Sequence, residues 1–142
     1  MAGWRIYEYI ENKNYGRSTI GMWLDREDIQ ARDRGQLQQK LDMLAVSGMS
    51  LSPGVLAGPI ASKLKKKGFQ SHIYKLVIHG QRMLHPMFCR GPLELDSEFT
   101  LLIGAIEKDG ILNVDASEAE DRRQEVIEDS VNKRRLNGRY SG

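Results

Sequence analysis

Between Met43 and Leu93 the chain has no carboxylate side chain, yet it holds Lys63, Lys65, Lys66, Lys67, Lys75, Arg82 and Arg90 together with His72, His79 and His85, the only histidines present. Every Asp and Glu lies at or before Asp42, or at or after Glu94. Cations gathered without counter-charge build a local positive potential that attracts a polyanion. The histidines add proton transfer, since an unperturbed imidazole titrates near ~6.5, and His79 and His85 are the candidates for acid or base. Crowded lysines gain the same ability, because mutual repulsion favours the neutral amine. Arginine does not give up its proton usefully, so Arg82 and Arg90, with Lys108 further along, suit the clamping of phosphate.

The bulk composition limits what this segment can serve. A formal net charge of +2 excludes a uniformly basic nucleic-acid coat, so any positive field is local. At 142 residues the chain is long enough for one domain with its own core. The single cysteine, Cys89, rules out an intramolecular disulfide, and the C-x-x-C pairs of structural zinc sites are absent. No cofactor is implied. Met1-Ala2-Gly3-Trp4-Arg5 runs straight into alternating Ile and Tyr with no signal-peptide run, and no stretch approaches the ~20 apolar residues of a membrane span. The expected location is the cytoplasm, away from membranes.

The elements that must position these groups are readable in outline. Trp4 to Ile10 alternates with period two and predicts a strand; Asn12, Asn14 and Gly16 break it. Ile20, Trp23 and Leu24 fit one face of a short helix. Asp25, with Asp28 three residues on, offers an N-cap for a longer one carrying Leu37, Leu41, Leu44 and Ala45, with Gly35 weakening its middle and Gly48 as its stop. The pattern predicts a helical hairpin or one kinked helix. Ser52 to Pro59 is a connector. His72 to His79 alternates cleanly, with His72, Tyr74, Leu76 and Ile78 on one face and Ile73, Lys75, Val77 and His79 on the other. Gly80-Gln81 turns the chain into a strand from Arg82 to Arg90, where Pro86 predicts an edge or bulge. Phe99 to Ile106 is apolar on both faces, as in a covered central strand, and Asp109-Gly110 ends it. Ala116 to Leu136 predicts a C-terminal helix, acidic at its start and basic at its end as the helix dipole favours. Residues 137–142 read as a tail.

Four stretches in this order resemble the RelE/HigB-like toxins of bacterial toxin–antitoxin pairs, in the phage-derived branch of the RelE/ParE superfamily. Lys63-Leu64-Lys65 leading to Ile73-Tyr74-Lys75-Leu76 is similar to that family's K-x-L…L-Y-E-L-R passage. His85-Pro86-Met87-Phe88-Cys89-Arg90-Gly91-Pro92 is similar to its R-P-L-F-C-x-G-P strand. Phe99 to Gly110 resembles its F-x-L-L-x-G-x-x-K-K strand, and Arg122-Arg123-Gln124-Glu125 through Lys133-Arg134-Arg135 its Arg-rich final helix. The likeness runs from about residue 4 to residue 136. It implies an α+β fold, a small antiparallel sheet with an N-terminal helical hairpin and a C-terminal helix.

The resemblance also implies a function: a metal-independent endoribonuclease cleaving mRNA with the ribosome, silenced by an antitoxin protein. Such cleavage uses the ribose 2′-hydroxyl as nucleophile and needs proton transfer plus stabilisation of a phosphorane. Carried over by motif, Lys63, Lys65, His85, Arg90 and Lys108 join His79, a candidate by its imidazole, in the expected catalytic set, and Lys66, Lys67, Lys75 and Arg82 are the expected RNA contacts. The chain departs from the family pattern at Val77 and Asp109, where the motifs carry cations, and at His85, where they carry Arg; Tyr140 alone answers a C-terminal catalytic Tyr or His. A RelE-fold binding protein without nuclease activity, poisoning a topoisomerase or serving as a phage accessory factor, is the alternative of a different class.

Plainer readings stand beside each residue. A run such as Lys65-Lys66-Lys67 is commonly a solvated loop. His72 shares a face with apolar residues and reads as strand-end packing, His79 beside Gly80 as a turn residue, and Cys89 as an inert core thiol. Trp4, Tyr7 and Tyr9 read as sheet packing in preference to base stacking.

Overall fold

The computed structural model describes residues 3–11, 18–62 and 71–138. The expectations for Asn12, Asn14, Gly16, Lys63, Lys65, Lys66, Lys67 and Tyr140 lie outside them. Strand β1 (Arg5–Tyr9) precedes helices α1 (Thr19–Arg26) and α2 (Ala31–Ser47). Then come β2 (Leu56–Ala57), β3 (Ile73–Leu76), β4 (Ile78–His79), β5 (Met83–Arg90), β6 (Glu98–Lys108) and β7 (Ile111–Leu112). Helices α3 (Ala116–Glu128) and α4 (Ser130–Lys133) lead to β8 (Arg134–Leu136). Among the described residues these strands make one eight-stranded sheet in the order β2-β3-β5-β6-β1-β8, with β4 beside β5 and β7 beside β6. The α+β class expected from the sequence stands. The sheet is larger than expected and mixed in direction, because β1 runs parallel to β6 from Arg5↔Glu98 to Glu8↔Leu101.

Alternation sorts the side chains onto two covered faces. Leu76, Ile78, Leu84, Phe88, Phe99 and Leu101 pack with Ile20, Trp23 and Leu24 of α1 and Leu37, Leu41 and Leu44 of α2. Ile73, Met87, Cys89, Leu102 and Ala105 pack with Ala116, Ala119 and Val126 of α3. This explains the doubly apolar run of β6: both its faces are buried. The register moves from Met87↔Ile103 to Phe88↔Leu101, so Leu102 is an extra residue in β6, a bulge that turns it toward α3. Gly104 is required by the other face, since a Cβ there would collide with the Trp23 ring. Burial pushes the Cys89 thiol up to about 12, in keeping with an inert core residue.

The helical hairpin forms as two separate helices. Ser18 caps α1 by accepting from Gly21 N–H at 2.8 Å. The expected cap does not serve α2: Asp25 lies inside α1, Asp28 sits in the turn at φ 52°, and Gln30 holds the N-cap position. Arg34 ties the joint by donating to the carbonyls of Ile29 at 2.6 Å and Leu24 at 3.1 Å and to Asp25 at 3.1 Å. Gly35 is accommodated within α2 without a break.

The expected C-terminal helix ends early. It stops at Glu128, resumes for a turn, and gives way to β8, which pairs antiparallel with β1. The physical reason is charge: Glu8 and Glu98 are each only 1% exposed, and Arg135 and Arg134 reach them from β8. Arg134 also lies over the Tyr7 ring at 3.8 Å. The basic residues therefore neutralise buried carboxylates of the sheet and do not complement a helix dipole. Asn137, expected in the tail, donates its backbone N–H to Ile6 C=O and its side chain to Glu8.

Candidate functional site

The described members of the acid-free segment do not share one surface. Arg82 pairs with Glu27 at the end of α1 at 3.2 Å. His79 is exposed beside the start of α2, lining a cavity of about 380 Å³ with Gln30, Arg32 and Asp33. Lys108 is exposed at the β6–β7 hairpin. Lys75 and His85 both turn toward Glu107, at 3.9 Å and 2.9 Å. Among the expected residues that are described, His79 shares its cavity with Arg32, and Arg90 shares a second cleft with Arg123. The carboxylates missing from the central segment are thus returned to it by the flanks.

His85 has a structural post. Ile73 C=O accepts from Ile60 and Val77 N–H donates to Val55, so both point toward the β2 side, and by alternation Leu76 C=O points at β5. There it meets Pro86, which has no N–H. His85 Nδ1 lies 3.0 Å from that carbonyl and Nε2 lies 2.9 Å from Glu107 Oε1. Both ring nitrogens face acceptors, and only the imidazolium donates from both at once, unless Glu107 supplies the proton between them. At 1% exposure His85 repairs the ladder gap at Pro86 and is sealed from any substrate.

The cleft containing Arg90 has the better chemistry. It encloses about 290 Å³ between the start of β3, the end of β5, the β5–β6 loop and α3, and is lined by Ser71, His72, Tyr74, Arg90, Leu95, Asp96 and Arg123. Ser71 Oγ accepts from Ile73 N–H at 3.0 Å and fixes the entry to β3. His72 Nδ1 stands 3.5 Å from Glu120 Oε2. Glu120 is 8% exposed, and its Oε2 has no hydrogen bond, while Oε1 accepts from Arg123 at 2.7 Å. The His72 side chain is 55% exposed, with Nδ1 the nitrogen nearer Glu120. Arg90 bonds Asp96 at 2.7 Å and Leu95 C=O at 3.0 Å and lies over Trp4.

The cleft sets an exposed imidazole 3.5 Å from a buried carboxylate, with the guanidiniums of Arg90 and Arg123 among its lining, which suits an anion and a proton acceptor. Sequence reasoning places His72 as packing and passes over Glu120 and Arg123 as part of a charged helix. The alternation of β3 hides His72, which lies just before the strand and turns to α3. No local pattern links it to Glu120; the one sequence signal is Arg123 in the Arg-rich helix. Comparison of the chain with family models, with curated proteins and with solved structures gives no match in any of the three. No helix among the described residues is long and apolar enough to cross a membrane.

Proposed function

We propose that the protein is a RelE/HigB-like toxin, a metal-independent endoribonuclease that cleaves mRNA with the ribosome, and that its working cleft is the one around His72. The observation that supports this reading is an exposed imidazole 3.5 Å from a buried carboxylate in a cleft that two arginines also line. Arg90 and Arg123 take the scissile phosphate. His72 Nε2 receives the proton of the ribose 2′-hydroxyl; O2′ attacks phosphorus, the P–O5′ bond breaks, and O5′ takes a proton from water. Glu120 steadies the imidazolium so formed. An antitoxin laying an acidic segment over His72, Arg90 and Arg123 would silence it.

A contact-acting binder without nuclease activity is the second reading, favoured by the pairing of Lys75 with Glu107 and Arg82 with Glu27 away from the cleft. Primer extension on cellular mRNA after brief expression separates the two. New 5′ ends within coding regions from the parent chain, lost in a folded His72→Ala variant, support cleavage; their absence from the parent supports the binder.

A further inference from the structure

We infer that the His72 cleft reads one unpaired guanine nucleotide, with Tyr74 and Leu95 contacting the base and Asp96 accepting from its Watson–Crick edge. This rests on the proposal that the cleft binds RNA, and adds to it which base is chosen and by what group. A cavity of about 290 Å³ is of single-nucleotide scale and has no room for a stacked duplex. Its walls divide by chemistry. Arg90 and Arg123 supply the cationic part and His72 an imidazole, while Tyr74 and Leu95 supply an aromatic ring and an aliphatic side chain. Tyr74 is braced from within by Phe88, with ring centroids 6.0 Å apart, so it can serve as a fixed platform for a base. Leu95 is 54% exposed and takes no part in either core.

Asp96 decides which base. A carboxylate only accepts, and its two oxygens match two N–H donors side by side. Guanine alone offers that pair, from N1–H and the 2-amino group on one edge. Adenine and cytosine offer one amino group, and uracil one ring N–H. The Asp96 side chain is 94% exposed, so its ion pair with Arg90 is an easily exchanged surface contact. When phosphate takes the Arg90 guanidinium, Asp96 is released at the mouth of the same cleft. Arg90 also bonds Leu95 C=O, so the guanidinium that meets phosphate positions the loop that carries Leu95 and Asp96.

The test is binding of 3′-GMP and 3′-AMP to the full chain, followed by NMR shift perturbation, for the parent, Asp96→Asn and His72→Ala. The expected preference for GMP is about 2- to 5-fold, the range of a solvent-exposed charged contact. It should be lost in Asp96→Asn, whose amide offers one acceptor where guanine needs two, while His72→Ala should weaken GMP and AMP alike. Equal binding of the two nucleotides by the parent, or an undiminished GMP preference in Asp96→Asn, overturns the inference. A GMP preference that depends on Asp96 in a chain that cuts no transcript upholds the guanine site and sinks the nuclease reading.

Discussion

The post assigned to His85 can be tested by a double-mutant cycle with Pro86. Replacing His85 by Phe keeps an aromatic ring in a fully enclosed site but removes both ring nitrogens. Leu76 C=O then faces a proline with nothing to accept from, and a buried carbonyl left without a partner costs about 1–3 kcal/mol. Glu107 loses less, since its side chain is 28% exposed and Lys75 remains 3.9 Å away. The loss of that second bond adds about 1 kcal/mol, for a total of about 2–4 kcal/mol. Pro86→Ala alone should cost about 0.4–1 kcal/mol, mostly by loosening the unfolded chain. In the His85→Phe background, however, the alanine introduced by Pro86→Ala supplies the backbone N–H that Leu76 C=O lacks. The double variant should therefore be more stable than the sum of the singles predicts, by about 1–2 kcal/mol. Urea unfolding followed by circular dichroism reads this as a shift in midpoint at unchanged m-value. Additivity within about 0.5 kcal/mol would refute the ladder-repair account and leave His85 as an ordinary packed ring.

The β8 clasp predicts that Arg134→Met, which strands Glu98 without its counter-charge, costs about 3–5 kcal/mol, measured by the same urea unfolding. Pairing it with Glu98→Gln should recover much of that loss. At alkaline pH, burial and then the bond to Glu125 push the Tyr9 phenol up from 10.0 to about 12. Between those values the folded chain holds a proton that the unfolded chain has released, so stability falls as pH rises through this window. Tyr9→Phe should flatten that part of the stability profile.

Much of the architecture is legible because periodicity reports burial. The doubly apolar run of β6 announces a strand covered on both sides, and Asp109-Gly110 announces its turn, with both residues at positive φ. Arg134 to Leu136 reads as helix from sequence because a basic run after an acidic helix start satisfies the dipole rule equally well; the competing demand comes from Glu8 and Glu98, distant in sequence and buried beside it. The same limit governs the site. The acid-free segment is a true feature of the sequence, but its partners Glu27, Asp96, Glu107 and Glu120 arrive from the flanks through tertiary contact. Proton-trading candidates can be named by type, yet which imidazole lies sealed under the sheet and which stands open is decided by Pro86 and by α3.

The position of β1 has a consequence for how the chain is made. It is held on one side by β6 and on the other by β8, the last strand described. A polypeptide emerging from the ribosome therefore exposes Arg5 to Tyr9 first and can seat them only after more than a hundred further residues have followed, from Glu8 out to its partner Arg135. Until then the carboxylates of Glu8 and Glu98 stay hydrated and the two layers of core have no closed edge. Assembly should be a late, concerted step driven by long-range contact, slower than the helical hairpin alone would suggest.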